Sequence, residues 1–283
     1  MKSYLLPSAK YAKFCIAMQI TLNEQPLELT RPATVALVRD QYRPGADVLI
    51  LNGFPTAPET SLQEGDSLFL IQRGEIPPAT ELEALLAARH TPGVHQKLKT
   101  ARVGIAGVGG LGSTVAVALA RVGIGELVIA DFDVVEPSNL NRQQYFVDQL
   151  GEYKVTALSA TLRRINPYVA VTPYQVMLDP ANVPTIFAGC SVVVEAFDQA
   201  EMKSMLVDTV LNDMPNTIIV AASGMAGYGP NNEIATRRIN RRFYLCGDLT
   251  SEARPGNGLM APRVGIAASH QANQVVRVLL GEE

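Results

Sequence analysis

The eighteen residues from Val103 to Ala120 carry no charge, and an uncharged run of that length is long enough to span a bilayer. Its glycines decide against that. Gly104, Gly107, Gly109, Gly110 and Gly112 in one helix would each cost about 1 kcal/mol relative to alanine. A strand, a glycine turn and a following helix use all of them. The order Gly107-Val-Gly109-Gly110-Leu-Gly112, after a strand pattern and opening a helix pattern, lets a phosphate approach the backbone. The N–H groups and positive end of that helix then supply anion binding. Asp131, closing the next strand-like run, stands at the spacing of an acid that holds ribose hydroxyls. Taken alone, the pattern implies a nucleotide without saying which. NAD fits equally well, and a glycine turn that merely packs helix on strand is the lesser alternative.

Beyond residue 100 the chain alternates. Strand-like runs fall at 101–106, 126–130, 169–174, 191–197 and 217–222, with helical patterns at 113–122, 154–165, 200–212 and 264–280. This βαβ series predicts an α/β fold, a Rossmann-like, doubly wound and mostly parallel sheet covered on both faces. Hydrophobic residues make up 47% of the 283, enough for a substantial core. With charged residues at 18% and a net charge of -3, no global positive field exists to hold nucleic acid or an anionic membrane. Tryptophan is absent and aromatics are 6%, which leaves no stacking platform for single strands. Cys15, Cys190 and Cys246 are too few and too scattered for a disulfide framework or a four-cysteine zinc site, and a cytoplasmic chain is expected. Residues 1–17 hold Lys2, Lys10 and Lys13 without a cleavage pattern, so they read as a poorly ordered extension or an upstream start, not a signal peptide.

Residues 18–74 read as a separate β-rich unit. Met18 to Asn23 and Pro26 to Leu29 alternate apolar and polar residues around a turn at Glu24-Gln25. A short helix over 34–41, a break at Pro44-Gly45 and strands at 47–51 and 67–72 complete a ββαββ order. That order resembles the ubiquitin-like β-grasp of small sulfur carriers of the ThiS and MoaD type. A carrier ends in a free diglycine, whereas this unit runs through Arg73-Gly74-Glu75 into Pro77-Pro78, which implies a docking or assembly module. Residues 75–100 then read as a linker and lead-in helix, and 101–283 as the nucleotide-binding domain.

The segment Asp131-Phe-Asp133-Val-Val-Glu-Pro-Ser138-Asn139-Leu-Asn141-Arg142-Gln143 separates the nucleotide readings. It resembles the signature of the ubiquitin-activating superfamily, specifically ThiF and MoeB adenylyltransferases. Lys154 and Glu195-Ala-Phe-Asp198 fall where that family has its essential lysine and catalytic aspartate. The phrases at 240–248 and 256–263 resemble the shorter, zinc-free ThiF branch. The resemblance spans residue 84 to the C-terminus. It implies ATP bound by Gly107, Gly109, Gly110, Gly112, Asp131, Asp133, Ser138, Asn139, Arg142, Lys154 and Asp198, with Mg²⁺ on Asp198. It also implies Arg89 reaching a partner subunit's site in a homodimer, and Cys246 near a crossover loop as an acyl or persulfide carrier.

The chemistry needs such residues on its own terms. A carboxylate attacking a phosphate is an anion meeting an anion, so cations must neutralise both: Arg142 as a bidentate fork, Lys154 as a point charge. Magnesium binds through one or two carboxylates plus phosphate oxygens, which suits Asp198. As a competing role, Asp198 can serve only as the N-cap of the following helix. The expected function is adenylation of a small β-grasp sulfur carrier at its diglycine carboxylate, for thiamine or a related cofactor. The alternatives are an NAD-dependent oxidoreductase and a non-catalytic carrier-binding scaffold.

Overall fold

The structure, a computed structural model, describes residues 17–282. Apart from Ala17, the expected N-terminal extension, with Cys15, lies outside the described residues. The chain divides into two compact units, one ending at Pro92 and one beginning at Gly93.

In the first unit β1 (Ala17–Leu22) and β2 (Gln25–Thr30) form an antiparallel hairpin with Met18 opposite Leu29. The turn sits one residue earlier than expected, on Asn23 (φ 47°) and Glu24 (φ 64°). A two-residue hairpin turn needs left-handed residues at both positions, which asparagine tolerates well. α1 (Val35–Tyr42) is capped by Thr34, whose hydroxyl accepts from Leu37 N at 3.3 Å. β3 (Val48–Leu51), β4 (Phe54–Pro55) and β5 (Ser67–Ile71) complete a sheet of order β2-β1-β5-β3-β4, with β1 and β5 parallel. β4 is an addition to the expected ββαββ order, because two residues are too short to show alternation. α1 covers one face, over Ile20, Leu68 and Leu70. The other face, Ile50 and Phe69, packs against Ala84 of α2 (Ala79–Leu86) and Ala88 just beyond it. The Arg43 guanidinium, at the end of α1, bonds Glu81 and lies 3.8 Å from Glu75, tying the connecting segment to the unit.

The second unit starts with α3 (Val94–Leu98) and continues through β6 (Arg102–Ala106), α4 (Gly110–Arg121), β7 (Glu126–Asp131), α5 (Lys154–Ile165) and β8 (Ala170–Gln175). α6 (Val183–Ile186), β9 (Val192–Glu195), α7 (Ala200–Asp213) and β10 (Ile218–Ala222) follow. β11 (Ala235–Asn240), β12 (Phe243–Gly247) and α8 (Ala261–Leu280) close the chain. The sheet order is β11-β12-β10-β9-β6-β7-β8, and every pairing is parallel except β11 on β12. The uncharged stretch is therefore a strand, a turn and a helix. No helix among the described residues is long and apolar enough to cross a membrane.

Alternate residues of the central strands feed two cores. Val103, Ile105, Val192 and Val194 meet α4, α5 and α8, while Ala106, Val193 and Ile219 meet α6 and α7. The β11–β12 hairpin was not visible in the sequence, since Thr236-Arg-Arg-Ile-Asn240 lacks the apolar alternation that an edge strand does not need. Arg242 holds it in place by donating to the carbonyls of Leu211, Met214 and Thr217, the last turn of α7 and its exit.

A strand glycine makes room for an aromatic ring in the second core. A Cβ on Gly104 would stand 2.5 Å from Cδ1 of the buried Phe187 ring. Gly104→Ala is expected to cost about 1–3 kcal/mol in urea unfolding through overpacking, and pairing it with Phe187→Leu should return part of that loss.

Candidate functional site

β6 has β7 on one side and β9 on the other, so the chain order reverses there and a crevice opens beyond the carboxyl ends of the strands. The glycine turn fills its floor. Gly107 is left-handed (φ 85°), and a Cβ on it would lie 3.0 Å from Ala196 O across the crevice. A Cβ on Gly112 would fall 1.9 Å from the Gly107 carbonyl oxygen. Only hydrogen at both positions lets α4 begin here with its free N–H groups aimed into the opening.

Asp131 ends β7 beside the turn. Its Oδ2 accepts from Val108 N at 2.8 Å and its Oδ1 from Asp133 N at 2.8 Å. Burial pushes its carboxyl up, while those two N–H donors and the Lys154 charge oppose the rise. The segment after it folds into a short 3-10 turn, Pro137–Asn139, in which Asn139 Oδ1 accepts from Glu136 N at 3.0 Å. That turn delivers Arg142, whose Nη1 donates to Ser138 O (3.0 Å) and Asn141 Oδ1 (2.9 Å). The Arg142 stem lies over Gly110, with Cγ 3.5 Å from where a Cβ would be. Lys154, first residue of α5, keeps only 7% of its side chain exposed and places Nζ 2.6 Å from Asp133 Oδ2.

Asp198 lies on the turn after β9 and is exposed. It does not cap α7: that position belongs to Gln199, and no side-chain cap bond forms. The turn is held from beneath by Glu195, fully buried, whose oxygens accept from Phe197 N (2.7 Å), Ala222 N (3.3 Å) and Lys203 Nζ (2.9 and 3.1 Å). Burial pushes the Glu195 carboxyl up from its ordinary range, against the pull of Lys203. Gln271 of α8 donates to Glu195 O (2.8 Å) and Val220 O (3.2 Å), locking β9 to β10.

These parts enclose one cavity of about 760 Å³. Gly107, Gly109, Gly110, Asp131, Asp133, Arg142, Lys154 and Asp198 all line it. Ser138, Asn139 and Gly112 do not: Asn139 is buried within its turn, Ser138 contributes a carbonyl to Arg142, and Gly112 lies against Gly107. Asp198 offers one exposed carboxylate on this wall, and one carboxylate completed by phosphate oxygens and water is a ligand set that Mg²⁺ accepts. Arg89 belongs to the first unit, exposed just past α2. Cys246 lies in β12 and not on a loop; it is fully buried and absent from the cavity wall, and burial pushes its thiol up to about 11, with the Thr236 hydroxyl opposing. Cys190 is likewise buried, its thiol pushed up to about 12 by burial.

Sequence reasoning missed the far wall. It is formed by residues 223–226 and 249–253 and anchored by Asp248 and Arg263, whose side chains are each 4% exposed and 2.6 Å apart. Arg263 also donates to Pro230 O at 3.0 Å, and Asp248 Oδ1 accepts from Thr250 N (2.8 Å) and Ser251 N (2.7 Å). Burial works to raise the Asp248 carboxyl, but the bonds from Ser251, Thr250 and Arg263 outweigh it and hold the group well below the usual carboxylate range. The available sequence signal was Arg263 in the first turn of α8, where the helix dipole disfavours a cation and so asks for a local acidic partner.

A profile described as ThiF family matches residues 83–283, and one described as ThiS-like ubiquitin matches residues 18–74. The molybdopterin-synthase adenylyltransferase of Salmonella typhimurium is 34% identical over 190 residues, covering 65% of this chain and 75% of its own. An adenylyltransferase and sulfurtransferase of Yarrowia lipolytica is 31% identical over 193 residues, covering 65% of this chain and 47% of its own. Among solved structures, the E. coli tRNA N6-threonylcarbamoyladenosine dehydratase in complex with AMP superimposes with a TM-score of 0.64 at 21% identity, over 74% of this chain and 99% of that one. The last likeness is one of fold.

Arg263→Met leaves Asp248 buried without its cation and is expected to cost about 3–5 kcal/mol in denaturant unfolding. A depressed carboxylate contributes stability above its unfolded pKa of about 4 and loses it as pH falls further. The wild type should therefore lose more stability than Asp248→Asn between pH 5 and pH 2, values chosen to bracket about that pKa. In a Cys15→Ala background, thiol titration at pH near 8 should find no fast-reacting cysteine until the chain unfolds.

Proposed function

Because the chain belongs to the ThiF family, we propose that it is an ATP-dependent adenylyltransferase acting on the C-terminal carboxylate of a small ubiquitin-like sulfur carrier. One carboxylate oxygen attacks the α-phosphorus, the bond from that phosphorus to the bridging oxygen breaks, and the carrier leaves as an acyl adenylate with pyrophosphate released. The observation that carries this reading is the convergence of Arg142, Lys154 and Asp198 on one cavity beside the glycine turn.

Each group has a physical task. The helix end at Gly110 and the N–H groups of the turn receive phosphate oxygens. Arg142 and Lys154 offset the charge that would repel an incoming carboxylate and that grows on the departing pyrophosphate. Before ATP arrives, Lys154 is held by Asp133, so phosphate has to compete with that carboxylate for the amine. Asp131, with both oxygens already oriented by backbone N–H groups, can still accept from ribose hydroxyls. Asp198 would hold Mg²⁺, which would supply positive charge against the departing pyrophosphate.

Finer parts of the proposal rest on the family likeness. The carrier ends in diglycine, the product feeds sulfur transfer for thiamine or a related cofactor, and the enzyme works in the cytoplasm as a homodimer in which Arg89 completes the partner's site. A sealed thiol lends no support to transfer through Cys246.

Pyrophosphate exchange with a panel of diglycine-tailed carriers tests the central claim. Wild type should exchange only when its carrier is present, and Asp198→Ala should lose roughly a hundredfold or more. Unchanged exchange in the variant would remove Asp198 from the chemistry, and carrier binding without any exchange in wild type would point to a scaffold. Thermal stabilisation by ATP with Mg²⁺, and none by NADH, is the accompanying expectation.

A further inference from the structure

Gln143 follows Arg142 and lines the same cavity, and neither end of its side-chain amide meets a protein partner. The residue is 8% exposed, and its Oε1 is sealed from solvent with no donor in reach. Its Nε2 lies 3.8 Å from the place a Cβ on Gly109 would take, beside the glycine turn. Nearby glutamines are different. Gln144 Nε2 reaches Thr114 Oγ1 at 3.3 Å, and Gln149 bonds Ala157 O, Thr161 Oγ1 and Phe146 N at 3.0–3.2 Å. Gln143 itself is held by its backbone N–H, which donates to Asn139 O at 2.9 Å, so its side chain starts from a fixed point.

Enclosing an amide without partners loses its hydration and gains nothing in return. A methionine or leucine would fill the same space without that cost. Packing therefore does not account for a glutamine here, and the amide is explained by something the cavity receives. The buried oxygen turns inward and the donor end faces the glycine turn, an orientation suited to an anion and not to a cation.

We propose that Gln143 is a further nucleotide-binding residue, its Nε2 donating to a phosphate oxygen of a nucleoside triphosphate seated at the glycine turn. This rests on the ATP reading of the cavity. Arg142 and Lys154 already supply the positive charge the reaction needs. A neutral donor beside the glycine turn adds direction without further charge and would fix which oxygens face the two cations.

The test uses the full chain. ATP affinity with Mg²⁺ is measured by calorimetry for wild type, Gln143→Met and Gln143→Glu, with the urea midpoint of each ligand-free protein as control. Loss of one donor should weaken ATP about tenfold in Gln143→Met. The carboxylate of Gln143→Glu, of the same shape but facing phosphate, should weaken it further. The ligand-free Gln143→Met should be as stable as wild type or more so, which a purely structural glutamine does not predict. Wild type binding ATP while both variants stay within twofold of it overturns the assignment and leaves the ATP reading intact. A wild type that does not bind ATP overturns that reading and the assignment together. If Gln143→Met unfolds, Gln143→Glu alone decides by the same ATP criterion.

Discussion

The structure of the second unit depends on a contact that only two hydrogens allow. The first residues of α4 start against the carbonyl of Gly107 because Gly112 has no Cβ to strike it, and Gly107 passes Ala196 at the limit of contact. With the helix in that place, its free N–H groups open onto the crevice at the reversal of strand order. A side chain at Gly112 would push the helix back from the turn, and one at Gly107 would press on Ala196 and Phe197 across the crevice into which phosphate is proposed to settle.

Around that floor the polar groups are arranged in layers of differing burial. Glu195 and Lys203 lie beneath, Asp248 and Arg263 behind; the first pair ties β9 to α7 and the second ties the exit of β12 to α8. Pairs of this kind are poor sources of net stability but are costly to break, so they define position more than they add strength. Two groups on the cavity wall are less enclosed, Asp198 exposed and Arg142 half-buried, while Lys154 is buried and holds a single carboxylate. Buried pairs beneath cations that line the cavity suit a site whose ligands bring several negative charges of their own. The family likeness accounts for why cations line it, and the backbone accounts for where they stand.

The first unit shows the same economy. Its sheet is closed on one face by α1 and on the other by α2, and the chain leaves it without a free tail. A β-grasp unit built so has no carboxylate to be activated. The asymmetry between tailed carriers and this tail-less unit follows from covalent continuity alone.

Periodicity and spacing determined a good deal. Alternating patterns of strand and helix indicated a parallel sheet, glycine spacing indicated the turn, and Asp131 and Lys154 were legible at a strand end and a helix start, whereas Arg142 and Asp198 were legible through the resemblance to the ThiF and MoeB signature. What the tertiary structure alone decided were relations between residues far apart in the chain: the edge hairpin β11–β12, the Asp248–Arg263 anchor, Glu195 beneath the Asp198 turn, the sealed Cys246 thiol and the unpartnered amide of Gln143. The physical reason is that local backbone preference acts over a few residues, whereas burial and polar satisfaction are settled only when distant segments meet and water is excluded between them.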